Sequence, residues 1–452
     1  MKLPKVLRLL CCAAPIVLLP ACNDSTEVTS VPDRSDAPAV CKAALEWPHL
    51  LGSMHEHSGF SDGAVGTTPA DYFAAGAELG LDFMGSAEHS DNARLPITAN
   101  GDCASADLPA CVQASPDGVL KWERTADMAA QASTPDFTAF RGFEWTSDRF
   151  GHINVYFSSF DWNAKTTTGY LISMEDFWLW FGLPADLLGG NDGLAVFNHP
   201  GREDTLHAAC EELGPLAETC GTVYNGDPAY NWNDFEYRAE VAQRVVGIEM
   251  YGKSGDYYDG DNGAPEGGWY AHALRKGWHL GPIGAEDEHG QSWARPERAK
   301  TIMIAPDRSP DSLKQAMLAR RFYALAHAYN DVRVEFSARP ALETEPRWPM
   351  GSRVSLPAGR QMTFSVNVSG VASPRIELVG AGGIVAAAAN GAELTYAQAP
   401  DQPEEQWLFA RVIDTADQDG DERLDEVVAV TAPIWFAQGE DKASCDGSAF
   451  TR

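Results

Sequence analysis

The chain has 452 residues, 44% of them hydrophobic and 10% aromatic, with a formal charge of −30 at neutral pH. That is longer than one typical domain and holds ample apolar material for a packed core. A surface this acidic repels phosphate backbones, which argues against nucleic acid as a partner and suits a soluble, exported protein.

Lys2, Lys5 and Arg8 precede an apolar run from Leu9 to Pro20. The run is too short to span a bilayer comfortably, so residues 1–22 read as a signal peptide. Its end, Leu19-Pro20-Ala21-Cys22, resembles the lipobox of bacterial lipoproteins. That likeness implies cleavage before Cys22, lipid on that cysteine, and export to a bacterial membrane contacted through the lipid anchor only; a plain signal peptide cut elsewhere is the other reading. Residues 23–40 are rich in Ser, Thr, Asp, Pro and Val without apolar periodicity, and 23–46 reads as a flexible tether. Of nine cysteines, Cys11 and Cys12 fall in the signal and Cys22 would carry lipid, leaving Cys41, Cys103, Cys111, Cys210, Cys220 and Cys445. An even remainder in an oxidising compartment suggests disulfides. Local spacing favours Cys103 with Cys111 and Cys210 with Cys220, which leaves Cys41 to clasp Cys445.

Leu51-Gly-Ser-Met-His55-Glu-His57 is followed by Ser61-Asp62-Gly63. Residues two apart on an extended strand share a face, so His55 and His57 can reach one metal, and the Ser-Asp-Gly turn can return a carboxylate toward it. Thr68-Pro69 with Asp71 in the first turn predicts a helix up to Gly80. The short apolar run Leu81–Ser86 then predicts a strand that delivers Glu88 and His89. The same pattern returns in 139–144, 152–157, 194–199, 245–249 and 280–285, each with His, Glu or Asp in or just beyond it. With helical stretches such as Pro310 to Arg321 between strands, residues 47–330 predict a parallel α/β arrangement, a barrel, with site residues at the strand C-termini. The aromatic segments 163–188, with Phe177, Trp178 and Trp180, and 208–240 read either as lids and substrate walls or as anchored surface loops.

From Asp331 the pattern alternates with period two in 332–336, 362–368, 375–379, 407–412 and 427–431, predicting a small antiparallel β-sandwich over 331–437 and a tail over 438–452. Asp417, Asp419, Asp421 and Asp425 suit a calcium loop. However, the glycine falls at the fourth place and not at the sixth, where an EF-hand turns, so a solvated acidic hairpin tip is the competing reading.

His55, His57, Asp62, His89, Glu144, His152, His199, Asp287 and His289 therefore gather at strand ends, where polar groups are costly unless paired or ligated. With no thiolate among them they fit two or three divalent ions such as zinc, manganese or iron. The ordered motifs His55-x-His57, Glu88-His89, Gly142-Phe-Glu144, Asn198-His199-Pro200 and Asp287-x-His289 resemble the PHP (polymerase and histidinol phosphatase) superfamily of metal-dependent hydrolases. That family usually has Asp-His at the second motif and Ala-His-Pro at the fourth. Gly151-His152-Ile-Asn-Val-Tyr and the following β-sandwich look most like its secreted, carbaryl-hydrolase-like branch. The resemblance implies a distorted (β/α)7 barrel. Carried over, His55, His57, Glu144 and Asp287 would serve one metal, with Glu144 bridging to a second held by His89 and His152; Asp62, His199 and His289 would complete the sites, and Glu249 would support them. It implies hydrolysis by a metal-bridging hydroxide, first of phosphate mono- or diesters, alternatively of a carbamate, amide or carboxylic ester. The substrate is then a small-molecule ester, with Arg202 a candidate clamp for a phosphate or carboxylate. A catalytically idle surface binding protein is the reading from another class.

Overall fold

The computed structural model describes residues 37–93, 119–147, 150–164, 172–187, 189–201, 232–252, 255–256, 265–416 and 426–448. Cys22, Cys103, Cys111, Cys210, Cys220, Arg202 and the acidic loop from Asp417 to Asp425 lie outside them.

The apolar runs form short strands: β1 (His49–Ser53), β2 (Phe83–Gly85), β3 (Glu88–His89), β4 (Thr138–Phe140), β5 (Gly142–Trp145) and β6 (Ile153–Tyr156). They continue with β7 (Leu194–Phe197), β8 (Val245–Gly252), β9 (Gly255–Asp256), β10 (Gly281–Gly284), β11 (Lys300–Ile304) and β12 (Phe322–Leu325). One sheet contains the run β4-β2-β1-β11-β12, and a second runs β3-β5-β6-β7-β8-β10. Their edges meet on both sides. The Ser86 amide donates to the Phe140 carbonyl at 3.1 Å and its hydroxyl to the Gly142 carbonyl at 2.9 Å. On the far side the Gly284 amide donates to Thr301 Oγ1 at 3.1 Å. Gly284 is required there, because a Cβ would lie 2.1 Å from the Lys300 carbonyl. The result is a curled, barrel-like wall in a mixed α/β fold.

The expected all-parallel barrel is corrected in one respect: β1–β11, β11–β12, β5–β6 and β6–β7 are antiparallel. Apolar periodicity shows that a strand is buried on both faces and carries nothing about its neighbour's direction.

The helix expected after Thr68 is Pro69–Glu78, opened by a capping box between Thr68 and Asp71 that satisfies otherwise orphaned amides. The helix expected at Pro310 runs Pro310–Leu318. Met174–Gly182 is also a helix, and it buries Phe177, Trp178 and Trp180 in the main core. Those aromatic rings pack in the core, the contact that the anchoring reading expects.

The C-terminal strands include Arg333–Pro340, Met362–Ser369, Pro374–Val379, Gln406–Asp414 and Glu426–Thr431, close to the expected alternating runs. They lie in two layers, with Phe364 of one packed against Phe436 of the other at 5.3 Å between rings. The hydrogen-bonded sheet does not stop at residue 331: Glu426–Thr431 pairs antiparallel with β12, Tyr323 opposite Thr431. Ala37–Arg452 clusters as one compact unit. Two expected boundaries also shift. A helix, Ala37–Ala44, occupies the end of the tether, and Lys442–Ser444 in the tail pairs with Arg353–Leu356. Both ends are drawn in by the Cys41–Cys445 disulfide, which spans 404 residues of sequence.

Candidate metal centre

The chain beyond β1 continues as an extended ribbon between two neighbours. The Ala87 amide donates to the Glu56 carbonyl at 3.3 Å, the His57 amide to the Glu288 carbonyl at 3.1 Å, and the Asp287 amide to the His55 carbonyl at 2.8 Å. Strand alternation then sends His55 and His57 to one face and Glu56 to the other, and all three are fully buried. The following turn closes through the Gly63 amide, 2.9 Å from the Ser58 carbonyl, and brings Asp62 back. A Cβ on Gly63 would lie 2.7 Å from Ser58 Cα, so the turn needs glycine.

Glu144 on β5 is the hub. Its Oε1 lies 3.3 Å from His55 Nε2, 3.1 Å from His152 Nδ1 and 3.3 Å from His199 Nε2. Its Oε2 lies 3.8 Å from His57 Nε2 and 3.5 Å from His89 Nε2. Asp287 Oδ1 stands 3.3 Å from His57 Nε2, and Asp62 Oδ1 is 3.4 Å from His89 Nε2 and 3.1 Å from His289 Nε2. All nine residues singled out in the sequence fall into three adjoining donor groups: His57, Asp62, His89 and His289; His55, His57 and Asp287; Glu144, His152 and His199. The grouping differs from the implied one, since His89 joins Asp62 and His289 and not His152. Glu144 follows the same division for the second ion, with Oε1 beside His152 and His199 and Oε2 beside His89.

The donor set fits metal ions. Two donors held tetrahedrally at about 2.1 Å from an ion stand about 3.4 Å apart, which the spacings above bracket. The buried Nε2 atoms of His55 and His57 have no hydrogen-bond partner, a costly state for a protein-only site. His199 and Asp287 have φ of 26° and 47°, left-handed backbone that non-glycine residues adopt at a cost and that clusters at functional sites.

The electrostatics of Glu144 and His57 suit metal ligation. Burial alone would raise the Glu144 carboxyl, yet His152, His55 and His199 hold it well below the ordinary carboxylate range. Burial pushes His57 down to about 3, with His289 adding to the effect, so the imidazole is neutral, the form a metal would require. Burial opposes charge on His55 too, but Glu249, Glu144 and Asp287 raise it well above its usual value.

Supporting contacts complete the site. Glu249 Oε1 is 2.6 Å from His55 Nδ1, and its Oε2 accepts from the His199 amide at 2.7 Å. This is the orienting partner that leaves Nε2 for the metal. Glu88 does not hold His89; it accepts from the hydroxyls of Ser58 and Ser61, each at 2.5 Å, and so braces the turn that carries Asp62. Sequence reading passed over two groups. Lys121, buried, donates to the Phe60 carbonyl at 2.6 Å in the same turn. Asn198 donates from Nδ2 to Glu144 Oε1 at 2.7 Å and accepts the Asn154 amide on Oδ1 at 3.2 Å. A carboxylate cannot donate and an amide N–H cannot accept, so these partners fix the orientation of the Asn198 side chain. The departure from Ala in the resembled motif was the available signal. Asn198→Ala is expected to weaken metal binding about 10- to 100-fold while the fold persists. Chelator competition would measure it, and unchanged affinity would show that the amide does not orient Glu144.

No family model matches the chain, and no curated protein matches it. Among solved structures, it is similar to a two-domain protein from Bacteroides vulgatus containing a predicted PHP-like metal-dependent phosphoesterase. The identity is 16%, over 86% of this chain and 95% of that one, with a TM-score of 0.39. It is also similar to PsfC from Pseudomonas syringae, at 12% identity over 62% and 93% of the two chains and a TM-score of 0.32. A third is Endonuclease Q in complex with a 27-mer duplex bearing an abasic lesion, at 12% identity over 60% and 56% and a TM-score of 0.28. The chemistry is carried by this chain's own side chains.

Proposed function

We propose that the chain is a metal-dependent hydrolase acting on phosphate mono- or diesters. The observation that carries this reading is the buried carboxylate of Glu144, whose oxygens lie within 3.8 Å of imidazoles from all three nitrogen- and oxygen-donor groups. Divalent ions held there would polarise an ester oxygen and lower the pKa of a water, with no Ser or Cys nucleophile required. Glu249 keeps the Nδ1 side of His55 engaged, so that Nε2 faces the donor group. Asp62, about one-third exposed, stands with His89 and His289 at the open side, where a substrate would enter. Phosphate esters rank above carbamates because they are the commonest substrates of the resembled superfamily and suit a site built for several metal ions. The complete donor set counts against an idle binding scaffold. The Cys41–Cys445 bond supports an oxidising, exported location, with lipid on Cys22 part of the same proposal.

The test is elemental analysis of the chain without residues 1–22, beside His55→Ala and Asp287→Ala, followed by assay with p-nitrophenyl phosphate, its diester and a naphthyl carbamate. The expected result is two or more transition metals per chain, a lower metal content in both variants, and phosphoester hydrolysis that falls with it. Carbamate turnover alone would replace the substrate class. No bound metal after reconstitution would overturn the hydrolase reading.

A further inference from the structure

At the N-terminal ends of β8 and β10, away from the strand ends that carry the metal-ligand candidates, the C-terminal strands flank an open cavity of about 710 Å³. Its charge is opposite to that of the chain as a whole. The sequence has 64 acidic residues against 34 Lys and Arg, yet the charged groups described around the cavity are Arg275, Arg320, Arg353 and one carboxylate, Glu405, beside His279. That carboxylate is already engaged: Arg353 donates to it from Nε and Nη2, both at 2.9 Å, and His279 Nε2 pairs with its other oxygen.

Arg320 is the unbalanced group. It is 4% exposed, and its guanidinium donates to the backbone carbonyls of His279, Leu318, Ala242, Gln243 and Val245. Those neutral acceptors satisfy its N–H groups and supply no counter-charge, and among the described residues it meets no carboxylate. A buried charge without an opposite charge is costly. Burial, with Arg353 nearby, pushes the guanidinium down to about 9. The remaining walls include Trp278, Trp407, Trp435 and Tyr237.

We infer that this cavity binds a small organic anion, a carboxylate, phosphate or sulfonate group on an apolar body, whose charge balances Arg320 and whose body packs on the tryptophans. The site is separate from the metal centre and does not depend on the hydrolase reading.

The experiment is calorimetric titration of the full chain with naphthalene-1-sulfonate, and with neutral 1-naphthol as the control. It is repeated on Arg320→Met, on Ala381→Trp at the exposed rim, and on Asp287→Asn in the metal centre. The expected result is saturable binding of one sulfonate per chain, at least tenfold weaker in Arg320→Met and Ala381→Trp and unchanged in Asp287→Asn. If Arg320→Met fails to fold, Ala381→Trp decides, because it adds a ring at an exposed position and leaves the core intact. Absence of saturable binding, equal binding of 1-naphthol, or loss in Asp287→Asn with retention in Ala381→Trp would each overturn the assignment.

Discussion

Glu144→Gln is expected to strip the chain of most of its metal and to lower hydrolysis by about 100-fold or more, since loss of a mere supporting partner already costs about 10- to 100-fold. The reason is geometric. Five imidazoles, those of His55, His57, His89, His152 and His199, stand between 3.1 and 3.8 Å from this one carboxylate. Gln has the same shape and still accepts from Asn198 through its oxygen, so the fold and the hydrogen bond to β7's end survive. It offers one neutral oxygen and one NH₂ group where the carboxylate offered two ligand atoms, so the two sides of the site can no longer share a charge. Metal content and turnover are the readouts, with circular dichroism to confirm the fold. A variant that kept its metal and stayed within about threefold of the parent rate would remove Glu144 from the centre of the argument.

Most of the nine ligand candidates were legible in the sequence because they sit in or just beyond short apolar runs, where a buried imidazole or carboxylate needs a partner, and Asp62 because a Ser-Asp-Gly turn follows His55-x-His57. The helix at Pro69 was legible from its cap, and the alternating C-terminal strands from their period. Four things were not. The antiparallel partners of β1 and β5 are absent from periodicity. The continuity of β12 with Glu426–Thr431 joins residues more than a hundred positions apart, and no local pattern encodes such pairing. Trp178 and Trp180 look alike as core anchors or as substrate walls until the helix that carries them is placed. The last omission is a buried ionic cluster directly beneath the site, since Glu56 lies between two histidines and Lys300 opens an ordinary-looking strand, and both residue types are usually exposed.

That cluster sets the second large expectation: Lys300→Met should destabilise the chain by about 3–5 kcal/mol, the cost of leaving a buried charge without its partner. Lys300 is fully buried, pairs with Glu286 Oε1 at 2.9 Å, and donates to the carbonyls of Arg295 at 2.8 Å and Arg298 at 3.0 Å. Glu56 lies alongside. Burial raises both carboxyls, and Glu286 raises Glu56 further. Lys300 is the cation that opposes this, so removing it forces proton uptake or rearrangement. Glu56 sits between His55 and His57 and Glu286 precedes Asp287, so the disturbance passes into the ligand-bearing ribbon, and metal affinity should fall together with stability. The double variant Lys300→Met/Glu286→Gln removes the cation and its ion-pair partner at once, and should recover a substantial part of the loss, because replacing both partners is far cheaper than orphaning one. Urea unfolding of the metal-free chain would measure each difference. If the double variant proves no more stable than Lys300→Met, the lysine acts through its hydrogen bonds to the 295–298 turn and not as the counter-ion of the acidic pair.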